Sequence, residues 1–205
     1  MKVSREQMAE NHLKILEAAG RLFRERGFDA VTVAEVMKAA GLTHGGFYGH
    51  FRSKDDLIAE TLAHTLTSVP APAADLDGYA GGYLSERHRD DRAGGCPTAA
   101  LATEAIRQSP EARAAMTAAL RKQIEALEAG MPGEDGARRR RAAIGSWTAM
   151  VGAMILARVS DDPALSAEVL RETRAWIGET ASGPDRAPAQ AAKGADADGE
   201  PRRRG

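Results

Sequence analysis

The chain has one cysteine, Cys96, which leaves no internal disulfide to staple a small exported domain. Aromatic residues are scarce at 4%, and no apolar run approaches the roughly 20 residues that a membrane-spanning helix needs. The N-terminus lacks an apolar stretch ending in a small-residue cleavage site, so a cytoplasmic protein with no membrane partner is expected. Charge of one sign is missing as well. A formal net charge of −1 exerts no general pull on nucleic acid, so any DNA contact must come from local charge and shape. No P-loop, dinucleotide fingerprint, nucleophile elbow or metal pair occurs, and His12, His64 and His88 have no metal-ligand partners at helical spacing. Neither an enzyme nor a cofactor is expected.

What remains is rich in Ala, Leu, Arg, Glu and Met, with 43% hydrophobic residues in a 205-residue chain. These residues favour helix over strand, and the length suffices for a buried core. An all-α fold follows. A first helix over 4–26 carries Leu13, Leu16 and Phe23, with Ile15, Ala19 and Leu22 beside them, and Gly27 closes it. Thr32 and Glu35 form a capping box that opens a short second helix to about Ala40. Gly41-Leu42-Thr43 makes a sharp turn and a new N-cap, and a third short helix, 44–50, buries Phe47. A second capping box, Ser53 to Asp56, opens a fourth helix with Leu57, Ile58 and Leu62.

The Pro- and Ala-rich stretch 69–74 breaks that helix. A fifth, weakened by Gly81-Gly82, runs to Gly94-Gly95. Pro97 starts a sixth through Leu101, Glu104 and Ile106. Ser109-Pro110-Glu111 starts a seventh, with Met116, Leu120, Ile124 and Leu127 as its buried stripe. A long helix follows through Ile144, Trp147, Val151, Met154 and Ile155, then a last one with Leu165, Val169, Trp176 and Ile177. Beyond Ala181 the Ala-, Gly-, Pro-, Asp- and Arg-rich end has nothing apolar to bury and reads as a disordered tail. The basic runs 138–141 and 202–204 read as solvated.

A short helix, a tight turn and a second short helix, braced by a longer helix in front, is the arrangement that sets a recognition helix into a DNA major groove. Thr32-Val33-Ala34-Glu35 and Gly41-Leu42-Thr43-His44-Gly45-Gly46-Phe47-Tyr48-Gly49-His50-Phe51-Arg52-Ser53-Lys54-Asp55-Asp56-Leu57 resemble the DNA-binding signature of the TetR/AcrR family. The motif covers about the first quarter of the chain. The resemblance implies an N-terminal three-helix helix-turn-helix DNA-binding domain, 1–52, and a C-terminal helical ligand-binding and dimerisation domain, 53–181, ahead of the tail, 182–205. It places Thr32, Thr43, Tyr48, His50 and Lys54 on phosphates and sets His44, Gly45 and Gly46 against base edges. The implied partners are a double-stranded operator, a second copy of the chain and a small-molecule effector, with repression as the default. Met37 stands where many such motifs have a small residue, Gly49 where relatives often have a second aromatic, and the recognition helix has no Lys or Arg.

In the penultimate helix Gly145, Ala149 and Gly152 share one side, a smooth strip where a partner helix can approach. Packing within the chain is the alternative. Met116, Trp147, Met150 and Met154 are candidates to line an effector pocket, with Glu104 as its polar group; plain core, and an exposed glutamate, are the alternatives. Cys96 precedes Pro97 at a helix N-terminus, where the dipole favours a thiolate, so a sensor of electrophiles or oxidants and a small buried residue both stand open. A regulator answering to a protein partner would use the same scaffold.

Overall fold

A computed structural model describes residues 4–67 and 75–182, and every element among them is helical. The joint at 69–74 and the tail after Ser182, with its basic run, lie outside the described residues.

Helix α1 (Arg5–Arg26) is opened by Ser4, whose hydroxyl accepts from the Gln7 N–H, and closed by Gly27. Gly27 has φ +82, and a Cβ there would lie 2.5 Å from Glu104 Oε1. The left-handed conformation therefore demands glycine, and any Cβ would also push the Glu104 carboxylate aside. The buried face of α1 is Ile15, Leu16, Ala19 and Phe23. Leu13, expected in that stripe, is instead 48% exposed, because two residues back from Ile15 is about 200° around a helix.

Helix α2 (Val33–Ala39) starts at the Thr32–Glu35 capping box. It ends in a Schellman motif: the Gly41 N–H donates to Lys38 O at 3.0 Å and the Leu42 N–H to Met37 O at 2.8 Å. Gly41, at φ +72, supplies the left-handed residue that this motif needs. The third short helix is a 3-10 helix (His44–Gly49), and its cap residue Thr43 makes no side-chain capping bond. Gly45, Gly46 and Gly49 lower its α-propensity, which leaves the tighter i→i+3 winding.

In α3 (Lys54–Thr67), Ser53 accepts from the Asp56 N–H, but the return bond of the expected box goes elsewhere. The Asp56 carboxylate accepts from the Arg52 N–H at 2.9 Å and from the Arg52 guanidinium at 2.8 Å. The expected fifth helix is two, α4 (Leu76–Tyr83) and α5 (Glu86–Asp90), because Ser85 caps a new start. Pro97 and Pro110 occupy the first turns of α6 (Pro97–Ala105) and α7 (Pro110–Gly130), and Asp135 caps α8 (Gly136–Val159) ahead of α9 (Pro163–Ser182). In α7 the buried stripe takes Ala112 and Gln123 with Ile124 and Leu127, while Leu120 is exposed.

Two cores form. One joins α1, α2, the 3-10 helix and α3 with Leu101 of α6 and Ala112 of α7, so it continues across residue 52. The other is built from α4 and α7 to α9 around Tyr83, Trp147, Met150, Met154 and Leu170. Helix α8 is long and apolar enough, by length and composition, to cross a membrane, which amends the expectation drawn from uninterrupted runs. Ser146, Thr148 and Arg158 interrupt its apolar residues, so no uninterrupted run forms. Here its Ala143, Trp147, Met150 and Met154 are buried against neighbouring helices.

Candidate functional site

The 3-10 helix is held at one point. Phe47 is 2% exposed and stacks on Phe51, ring centroids 5.6 Å apart, within the core that contains Val36 and Met37. With Phe47 turned inward, Thr43, His44, Gly45, Gly46 and Tyr48 face solvent, Tyr48 at 74% exposure. Met37 is buried, and its Cε lies 3.6 Å from where a Gly46 Cβ would stand, so the long side chain fills space beneath the glycine.

The remaining candidate contacts border this surface unequally. Lys54 is half-buried at the first turn of α3. His50 is half-buried 5.9 Å from the ring of His12; burial, and then the nearby His12, disfavour its protonated form. A neutral imidazole still offers one N–H to a phosphate. Thr32 is exposed, but its hydroxyl donates to Glu35 at 2.8 Å and accepts from the Glu35 N–H. The Glu35 carboxyl is held down at about 2, first by the Thr32 N–H, then by its hydroxyl and by Arg26. Lys38 and Arg52 are exposed cations on the same unit that the resemblance assigns no contact, and the Arg52 guanidinium is already paired with Asp56 at 2.8 Å.

The five residues expected around an effector do not come together. Trp147, Met150 and Met154 are 3%, 0% and 0% exposed within the second core, whereas Met116 packs against the first. Glu104 is half-buried, and its carboxylate accepts from the Phe28 N–H at 2.7 Å, capping the chain where α1 ends. Side chains that fill a core leave no room for a ligand.

A cavity of about 630 Å³ lies instead beside α4, α5 and the start of α6, lined by Tyr79, Tyr83, His88, Cys96, Pro97 and Arg24, among others. Cys96 is 7% exposed there. The spacing of Tyr79 and Tyr83, one turn apart on α4, was the available signal for this wall. His88 Nδ1 is 2.7 Å from Tyr83 O, and Nε2 accepts from the Cys96 N–H at 2.9 Å. Since a carbonyl only accepts, Nδ1 carries the proton and the ring must be neutral. Burial, reinforced by the Arg158 cation, disfavours the protonated form.

That neutrality has a measurable consequence. His88 and His50 both protonate less readily folded than unfolded, so stability is full above the ordinary imidazole pKa of about 6.5 and falls as the pH drops through and below it. Thermal melting temperature should decrease between pH about 7.5 and about 5.5, and His88→Gln should reduce that decrease. A wild-type melting temperature flat over this range would contradict the assignment of the protons.

Comparison with known proteins places these features in context. The model of the family described as bacterial regulatory proteins, tetR family, matches residues 15–61. An HTH-type transcriptional repressor of Mycobacterium tuberculosis is 38% identical over 80 residues, 39% of this chain and 42% of the repressor. The HTH-type transcriptional regulator AcrR of Shigella flexneri is 39% identical over 57 residues, 28% of this chain and 26% of the regulator. These matches therefore span less than half the length of either relative. The fold extends further: a TetR-family transcriptional regulator from Agrobacterium tumefaciens superposes with TM-score 0.64 at 20% identity, covering 82% of this chain and 98% of the other.

Proposed function

The chain belongs to the TetR/AcrR family of transcriptional regulators, and on that premise we propose that it is a homodimeric repressor of a palindromic operator, released when its C-terminal part binds a small molecule. The reading head is 1–52, and 53–181 senses and dimerises. The observation that carries this reading is the outward-facing row Thr43, His44, Gly45, Gly46 and Tyr48 on a segment anchored from below by Phe47. His44 and the two glycines approach base edges; Thr43, Tyr48, His50 and Lys54 hold phosphates, and Thr32 joins them by turning its hydroxyl away from Glu35.

Dimerisation is supported by a face that the chain does not cover itself. On α8, Ile144, Ile155 and Val159 are exposed, and on α9, Leu165 and Trp176. Gly145 and Gly152 lie on the same side of α8 with open space above them. Two such faces make a four-helix contact that fixes the spacing of the two reading heads. A second reading, release by an electrophile or oxidant at Cys96, draws on the position of that thiol in the cavity wall.

Operator DNA selected from random duplexes, followed by titration over a salt series, tests the reading head. His44→Ala should alter base preference at one position per half-site by about 1–3 kcal/mol. Lys54→Ala should weaken all sequences alike and lower the salt slope by about one unit. Identical behaviour of the two variants, or no preferred duplex at all, would refute the assignment.

A further inference from the structure

The cavity beside α4 to α6 is lined by side chains from distant parts of the chain, and its charges are unequal in what they already bind. Arg24, from the last turn of α1, is half-buried at the wall. Its Nε donates to Ala93 O at 2.6 Å; among the described residues its terminal nitrogens have no hydrogen bond and no carboxylate pairs with it. A guanidinium partly removed from water, with one neutral hydrogen-bond partner and the Asp91 carboxylate acting on it only at a distance, is an incompletely compensated cation. Asp91, the acid on the same lining, already accepts from the Gly94 N–H at 2.8 Å. Arg87 and neutral His88 complete the titratable groups of the wall other than the two tyrosines and Cys96. Cationic capacity is thus in surplus.

The remaining surface is flat and apolar. Tyr79 and Tyr83 stand with ring centroids 6.2 Å apart, and Pro97 borders them. The Tyr79 hydroxyl accepts from Gln123 at 2.6 Å, whereas the Tyr83 hydroxyl is buried without a partner, in a residue only 7% exposed. Leaving such a group unpaired is costly, and because the oxygen is sealed from solvent in the empty chain, a ligand oxygen satisfies it once the Tyr83 ring turns toward the cavity. The volume of about 630 Å³ is in the range of small-molecule sites.

We propose that this cavity is the effector site and that it takes a small organic anion with a flat apolar body, in the simplest case an aryl carboxylate, paired with Arg24 and seated against Tyr79 and Tyr83. The inference rests on the reading of the chain as a signal-released regulator and names the signal's chemistry. A guanidinium presents a fork that matches a carboxylate in two parallel hydrogen bonds, which a backbone carbonyl cannot offer. Because Arg24 belongs to the helix whose Phe23 packs in the core beneath the reading head, an anion that draws it from Ala93 acts on α1 directly.

The full chain is titrated calorimetrically with 2-naphthoate, its neutral counterpart 2-naphthamide and the cation naphthylmethylammonium. Naphthoate should bind more tightly than the amide by about tenfold or more, the worth of one charge-assisted pair. Arg24→Gln should erase that difference. Tyr83→Phe should weaken naphthoate while leaving the melting temperature of the empty chain no lower, since it removes a hydroxyl that had no partner. Equal binding of acid and amide, tighter binding of the ammonium, or naphthoate affinity untouched by both substitutions would overturn the assignment. The selected operator separates the two readings: operator binding by a chain indifferent to naphthoate sinks this site alone. Charge-selective naphthoate binding by a chain with no preferred duplex upholds the site and sinks the regulator.

Discussion

Phe47→Ala should abolish operator binding and lower the stability of the whole chain by about 3–5 kcal/mol, the range for removing a buried phenylalanine ring. Phe47 is the one buried residue of the 3-10 helix, and its ring packs face-on to Phe51 and edge-on to Tyr48, with centroids 5.6 and 5.2 Å away. The helix has three glycines among its six residues and no side-chain cap, so its own propensity cannot hold it once the ring is gone. A loss of this size is a large part of the roughly 5–15 kcal/mol that keeps a domain folded. Tyr48→Ala, on the exposed side, is the control: it should weaken DNA binding while costing stability no more than about 0.5–1.5 kcal/mol, the worth of its edge-on contact with Phe47. Wild-type operator affinity in Phe47→Ala would show that another contact positions the segment.

Gly152→Arg should convert the dimer to a monomer and reduce operator affinity by about 10²–10⁴, the advantage that linking two half-site contacts confers. The substitution separates assembly from folding. A Cβ at Gly152 meets nothing within 4 Å, and arginine is the better helix former by up to about 1 kcal/mol, so the chain itself keeps its helical content. At a close helix–helix contact the same side chain brings bulk and an unpaired charge into the seam. Ile155 and Val159, at 36% and 76% exposure on α8, are apolar side chains on the proposed contact face. Sedimentation at micromolar concentration together with circular dichroism decides: a dimer that survives Gly152→Arg places the interface elsewhere.

Local signals were legible where the cause is itself local. The Thr32–Glu35 box, the Gly27 closure, the glycine turn at 41 and the prolines at 97 and 110 each depend on backbone groups a few residues away, and each occupies its expected place. The box at Ser53 and the unbroken fifth helix failed because equally local competitors intervened: Arg52 took the Asp56 carboxylate, and Ser85 capped a second start. Apolar periodicity located the long helices but not what covers each stripe. Leu13, Leu120, Ile144, Ile155, Leu165 and Trp176 all fit a buried pattern, yet all are exposed in the single chain.

The sequence alone determined the helical class, the succession of short helices in the reading head and the surface they present, since capping, turn conformation and the one inward ring of Phe47 act over about ten residues. Only the tertiary structure decided that Glu104 caps the end of α1, that Trp147, Met150 and Met154 are core, and that Arg24 meets Tyr79, Tyr83 and Cys96 around one cavity. Those meetings join residues some 55 to 76 positions apart, and which helix faces which is set by how whole faces pack, a property that no short stretch of chain carries.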